Sequence, residues 1–136
     1  MPHSLNFNVV YAYDISASGI QIPVTLSIGE KSIRFLAKID TGATFCVFER
    51  ELGEDLGLDI ESGAPQKIGT AIGSFLTYGH PLSLAVFDYH FDVAVYFAAT
   101  KDFNRNVLGR HGWLDKMRLG IIDYDGQLYV SAYDET

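Results

Sequence analysis

Apolar and polar positions alternate strictly near the start of the chain. Ile20, Ile22, Val24, Leu26 and Ile28 alternate with Gly19, Gln21, Pro23, Thr25 and Ser27, the period-two pattern of a strand with one buried face. Gly29-Glu30 then turns the chain into a second strand, Ser32 to Ile39, whose apolar phase is Ile33, Phe35, Ala37 and Ile39. Pro23 has no N–H to give a ladder, so it predicts an edge or a bulge at that point. From Phe48 to Leu56 the period changes. Phe48, Leu52 and Leu56 recur at helical spacing, Glu49, Arg50, Glu51, Glu54 and Asp55 fill the other faces, and Gly57 stands where a helix ends. That acidic cluster reads as a solvated helix face rather than a binding site.

Further on, the pattern predicts that strands resume over Gln66 to Leu76, interrupted by Gly69 and Gly73. A hairpin follows over Pro81 to Phe97, turning at Asp88-Tyr89, and then a short strand from Asn106 to Leu108. A short helix around Gly112 to Met117 leads into a closing hairpin, Leu119 to Ala132, that turns at Asp125-Gly126. About nine strands and two short helices in this order predict a mainly-β barrel or sandwich, not a Rossmann-type alternation.

Composition narrows the function classes. The chain has 136 residues, 48% hydrophobic and 20% charged, the balance of one globular domain able to bury its own core. Ten Lys and Arg against seventeen Asp and Glu give a net charge of −7, the wrong sign for a nucleic-acid binder that draws affinity from clustered cations. That same acidic balance hints at basic peptides as partners. No apolar run approaches the ~18 residues of a membrane span. Met1 to Asn6 opens without a basic segment followed by an apolar one, so no signal peptide is expected. Cys46 is the single cysteine and excludes an intrachain disulfide framework or a cysteine-based zinc knuckle. A cytoplasmic location is the expectation that follows.

Most catalytic templates are absent. There is no Gly-x-x-x-x-Gly-Lys-[Ser/Thr] phosphate loop and no Gly-x-Ser-x-Gly elbow. His3, His80, His90 and His111 show no metal-ligand spacing, so no metal and no cofactor are expected. Asp88, His90 and Asp92 would share one strand face, which reads as the polar outside of a hairpin. Cys46, among Phe45, Val47 and Phe48, reads as a small buried hydrophobe rather than a nucleophile. One constellation remains: Asp40-Thr41-Gly42-Ala43-Thr44, directly after an apolar strand and ahead of Phe45-Cys46-Val47-Phe48 and a helix. Asp, Thr and Gly all favour turns, so the bland reading is a strand-ending turn.

In that context the sequence resembles the retropepsin-like aspartic proteases, in particular the small single-domain bacterial members. Asn106-Val107-Leu108-Gly109-Arg110 resembles the family's second motif, two apolar residues followed by Gly-Arg, which leads into a helix and a closing hairpin. The glycine-bearing hairpin Ile68 to Phe75 falls where the family places its flap. The resemblance runs from about residue 20 to residue 133 in the right order, and residues 1–136 are expected to form one retropepsin-like domain with an acid-protease-like closed β-barrel. One position departs: retroviral members carry an acid that pairs with the second-motif arginine where this chain has Thr44, which leaves the partner of Arg110 open.

The resemblance implies peptide hydrolysis through two carboxylates that share one water and one proton. Like charges a few ångström apart do not both ionise cheaply, so such a pair holds a single negative charge. One Asp-Thr-Gly per chain implies a homodimer in which Asp40 meets its symmetry mate. By the same resemblance Thr41 locks the two loops across the axis, Gly42 allows a tight backbone beside the substrate, and Ala43 lines the groove. Ala71, Ile72 and Gly73 form the flap tip, and Leu108, Gly109 and Arg110 form the structural second motif. Asp123-Tyr124-Asp125-Gly126 reads as a hairpin turn rather than a second catalytic motif. A catalytically weak peptide-binding or dimerisation module on the same fold, and an unrelated β-barrel binding a small ligand, stand as the other readings.

Overall fold

In the computed structural model, which describes Met1–Thr136, alternation and burial agree most clearly in the second strand. The strands are β1 (Val9–Ala12), β2 (Gln21–Ile28), β3 (Lys31–Ile39), β4 (Val47–Phe48), β5 (Ala64–Thr70), β6 (Gly73–Val86), β7 (Tyr89–Ala98), β8 (Val107–Leu108), β9 (Met117–Ile122) and β10 (Gln127–Ala132). One helix, α1 (Arg50–Asp55), follows β4, and 3-10 turns occupy Ile60–Ser62, Leu114–Lys116 and Asp123–Asp125. Ile22, Val24 and Leu26 on β2 are buried while Gln21, Pro23 and Thr25 between them are half-exposed. The side-chain period of two thus sends one face of this strand to the core.

The strands form two sheets. Seven run in the order β2-β3-β8-β4-β7-β6-β5, and a further pairing of β2 with β6 rolls that sheet back on itself. The other three run β1-β10-β9. Inside the roll Trp113, Phe48, Phe97, Ile22, Leu26, Leu84 and Leu108 pack with Leu128 and Val130 of β10, so one core joins both sheets. Burying each such aliphatic or aromatic side chain contributes about 1.5–3 kcal/mol before entropy is charged against it. The mainly-β architecture expected from the pattern is the one observed. Pro23 lies where β2 has β3 alone as its neighbour, because β6 pairs only with Thr25 to Ser27.

Three local expectations change. Phe48 belongs to β4 rather than to the helix, because β4 pairs in parallel with β7 (Val47 with Tyr96, Phe48 with Phe97) and its buried ring is taken by the core. The helix starts at Arg50 and stops with Gly57 in the left-handed region at φ 84°. Gln66 to Leu76 forms the expected glycine-bearing hairpin, with Thr70 opposite Gly73 and Ala71-Ile72 at the turn. The β6–β7 hairpin turns at Phe87-Asp88, one residue earlier than the pattern predicts. Both residues have positive φ (50° and 67°), the geometry of the turn that matches strand twist, and the Phe87 ring is held 5.1 Å from that of Tyr11. The second helix, expected over Gly112 to Met117, is a single 3-10 turn, since buried Trp113 and the start of β9 at Met117 leave three residues between them.

Candidate active site

The Asp-Thr-Gly loop leaves the end of β3 and is held by a second segment that runs alongside it. β8 pairs in parallel with β3, Lys38 with Val107 and Ile39 with Leu108. Backbone hydrogen bonds extend this pairing in both directions: Lys38 N–H donates to Asn106 O (2.8 Å) and Asp40 N–H to Leu108 O (3.0 Å). Beyond the turn, Arg110 N–H donates to Ala43 O (2.9 Å) and His111 N–H to Thr44 O (2.8 Å). The loop thus borrows the satisfaction of its backbone from the second motif, as a segment outside regular structure requires.

Gly109 sits at the crossing point. A Cβ built there would stand 2.2 Å from the Phe45 carbonyl oxygen and 2.8 Å from that of Ala43, so no other residue fits without moving backbone. Below the crossing, Gly109 N–H points at the Cys46 sulfur (3.4 Å). Cys46 is fully buried, and burial pushes its thiol up to about 12, so it stays protonated and serves as packing.

Within the loop, Ala43 N–H donates to Asp40 O (3.1 Å) and Gly42 N–H to Asp40 Oδ1 (2.9 Å). The second bond fixes the carboxyl rotamer, while Oδ2 has no partner within the chain. Asp40, Thr41, Gly42 and Thr44 are exposed and Ala43 is half-buried. Asp40 opens onto a cleft of about 350 Å³. Gly42, Ala43 and Thr44 form its floor, Lys67 to Thr70 and Phe75 of the β5–β6 hairpin form one wall, and Phe103, Arg105 and Val107 close its end. Asp40 is the one carboxylate in this lining.

The remaining candidates fall elsewhere. Ala71, Ile72 and Gly73 are exposed and outside the lining, with Ile72 99% exposed at the hairpin tip. Leu108 and Gly109 are buried, whereas the Arg110 side chain is exposed and makes no hydrogen bond or ion pair. Asp123 accepts a hydrogen bond from the Tyr13 hydroxyl, which with burial and the Asp123 charge pushes Tyr13 up to about 12. Asp125 ends a 3-10 turn ahead of Gly126, so Asp123 to Gly126 is a connection between strands. His80 Nε2 lies 2.9 Å from the Ile60 carbonyl, a structural bond, and no three His, Cys, Asp or Glu side chains stand together as metal ligands. Lys67, Phe75, Phe103 and Arg105 were not singled out by the sequence, because only the folded chain brings the hairpin and the loop before β8 to one cleft.

An Asp-Thr-Gly loop interlocked with an apolar-apolar-Gly-Arg strand has a match among known families: residues 24–112 fit the family described as aspartyl protease. The chain belongs to the aspartyl protease family. Its fold is shared with a retropepsin-like aspartic protease from Rickettsia conorii, at 19% identity and a TM-score of 0.63, over 90% of this chain and 97% of that one. EIAV protease, solved with the inhibitor HBY-793, is similar at 20% identity and a TM-score of 0.55, over 68% of this chain and 83% of that one. No curated protein matches the chain. In this aspartyl protease family member both motifs lie within the matched span, which begins in β2 and ends just past Arg110. No helix is long and apolar enough to cross a membrane.

Proposed function

We propose that the protein is an aspartic endopeptidase acting as a homodimer, in which Asp40 of each chain supplies half of a catalytic dyad. The observation that carries this reading is the lone Asp40 carboxylate at the open edge of a cleft, with one oxygen bonded by Gly42 N–H and the other unengaged. A two-carboxylate mechanism needs a second acid, and the cleft of one chain has none to give. A two-fold axis beside Thr41 and Gly42, both exposed, brings in the symmetry mate.

In that assembly the ionised carboxylate takes a proton from water, which attacks the peptide carbonyl, and the protonated carboxylate donates to the carbonyl oxygen. The tetrahedral diol then collapses: the C–N bond breaks, and the carboxyl that took the water proton gives it to the leaving amine. A diol hydroxyl returns a proton to the other carboxylate, so the scheme needs only the two acids and water. Thr41 ties the loops across the axis, Ala43 and Thr44 floor the groove, and Ala71, Ile72 and Gly73 close over the bound peptide and exclude water. Leu108, Gly109 and Arg110 hold the loop in place. One retropepsin-like unit per chain and a cytoplasmic setting belong to the same proposal.

Arg110, exposed and without a carboxylate partner, favours a second reading, a peptide-binding or dimerisation module with little turnover. Digestion of a broad peptide library separates the two. Asp40→Asn keeps the shape and removes the shareable proton, so cleavage should fall by at least the ~10²–10⁴-fold that general acid–base catalysis supplies. Activity per chain should also fall on dilution as the dimer dissociates. Near-wild-type cleavage by Asp40→Asn, or full activity from a sedimenting monomer, would falsify the dyad.

A further inference from the structure

The whole chain and its cleft carry opposite signs. The chain has a net charge of −7, yet the charged side chains lining the cleft are Asp40, Lys67 and Arg105. Lys67 and Arg105 form no ion pair with any carboxylate of the chain. Arg105 is also held in place. Its guanidinium carbon lies 5.6 Å from the Phe103 ring centroid, and that ring stacks on Phe75 of β6 with centroids 4.9 Å apart and planes inclined by 23°. That cation–π contact leaves the guanidinium without an ion-pair partner in the chain, so its fork of N–H donors is free to take a carboxylate. Lys67, on β5 opposite Leu76, adds a second cation beside the apolar surface of Ile68 and Val107.

From this we infer that Lys67 and Arg105 make the cleft select peptides that carry an Asp or Glu next to an apolar side chain. The inference rests on the cleft being the peptide groove of the proposed enzyme. It reverses the preference for basic peptides suggested by the overall charge. Acidic groups elsewhere on the surface are screened beyond about 8–10 Å, whereas two unpaired cations within the groove act at contact distance. The Phe75–Phe103–Arg105 stack also joins the hairpin to the loop before β8, so closing the hairpin on a peptide keeps the guanidinium over it. A two-fold partner repeats both cations in its half of the groove and leaves the sign unchanged.

The test uses labelled peptide libraries that differ at one fixed position, Glu, Gln or Lys, with that position moved along the peptide. Cleavage is followed with the wild type, and binding by fluorescence polarisation with Asp40→Asn. At one position or two neighbouring ones, Glu should exceed Gln by about tenfold in kcat/KM and in affinity, as one charge-assisted hydrogen bond allows, with Lys lowest. Added salt should shrink the ratio. Arg105→Gln and Lys67→Gln should each reduce it, and the double variant should bring it near one, while Arg34→Gln, an exposed cation outside the cleft, should leave it intact. Both glutamines are substitutions at exposed positions, so the folded dimer should persist. Lys-bearing peptides ranking first, or an undiminished Glu preference in the double variant, would overturn the inference. Glu-selective binding to Asp40→Asn with no cleavage by the wild type would overturn the catalytic reading and leave this one standing. Cleavage indifferent to Glu would do the reverse.

Discussion

The Asp-Thr-Gly loop and the β5–β6 hairpin face each other across one cleft and are built on opposite principles. The loop is a short irregular segment whose backbone is bonded to a second, distant segment on both sides of the turn, over a fully buried sulfur and Leu108. The hairpin is long and regular, bonded within itself, and ends in a tip where Ile72 is almost fully exposed. At Gly109 an added methyl meets two carbonyl oxygens, whereas at Gly69 and Gly73 it meets nothing within 4 Å. Positioning of a reacting group tolerates little displacement, and a cover must open and close. The irregular element is therefore the rigid one, and the regular element is the one with few contacts to lose on opening.

The comparison breaks most sharply at Gly109. Gly109→Ala places a methyl 2.2 Å from a backbone oxygen that is itself held in the core, so the two motif segments must separate. Destabilisation should reach or exceed the ~1–3 kcal/mol of an ordinary overpacked site, read as a lower midpoint in urea. Peptide cleavage should fall further than stability explains, since displacing a reacting group by ~1 Å costs on the order of 10²-fold. A variant with wild-type stability and rate would remove the argument that the crossing sets the position of Asp40.

Gly69→Ala sharpens the other side. Its φ is not in the left-handed region and its methyl enters open space, so stability should stay within about 0.5 kcal/mol or rise slightly. Gly69 lines the cleft, so the effect should appear in KM for peptides, by a factor of about two to ten, the scale of one methyl-sized contact. Gly73→Ala differs from it in one respect: φ at 73 is 149°, where an L side chain is strained. That strain falls on the turn that carries Ile72, so kcat should drop and the melting temperature should fall with it, unlike Gly69→Ala. Equal losses of stability from Gly69→Ala and Gly109→Ala would erase the contrast.

What the sequence made legible follows the same division. β2 and β3 were readable because one face of each is buried, so alternation maps directly onto burial. Asp40 was readable because its motif is contiguous and a second contiguous motif, Leu108 to Arg110, accompanies it. Phe48 was misplaced because β4 is two residues long and exists only through its parallel partner β7, which helical spacing with Leu52 and Leu56 does not reveal. β1 was missed, since Val9 to Ala12 has no clean alternation and its strand forms against β10 from the far end of the chain. Lys67 and Arg105 lie far apart in sequence and share the cleft only in three dimensions. Net charge, a sum over the surface, weighs every residue equally and does not report the lining of that cleft, where Lys67 and Arg105 stand with Asp40.

The smallest expected effect is also the one that tells the two walls apart by chemistry. The Asp-Thr-Gly loop is braced by backbone amides, which do not titrate between neutral and mildly acidic pH. The root of the hairpin is braced by ions: Arg50 donates to both oxygens of Glu61, just ahead of β5, and to the Ala99 carbonyl (2.9 Å), just behind β7. The hydrogen bonds from Arg50 hold the Glu61 carboxyl below the ordinary carboxylate range, and a bond from the Tyr89 hydroxyl does the same for Glu135 near the C-terminus. A carboxyl lowered in the folded state adds stability that is fully present above its ordinary value and is lost as pH falls through its folded value. Acid should therefore loosen the hairpin root before it loosens the loop. Hydrogen exchange on Asp40→Asn, which removes self-cleavage as a complication, should show amides of Ala64–Thr70 opening faster relative to those of residues 43–48 once the pH falls below the ordinary glutamate value of 4.5, with no change in the ratio between neutral and that point. Glu61→Gln should produce that difference already at neutral pH and flatten its further dependence on acid. Both segments responding in parallel, or a Glu61→Gln profile identical to that of Asp40→Asn alone, would mean that the ion pair does not anchor the hairpin, and that the two walls of the cleft share one stability.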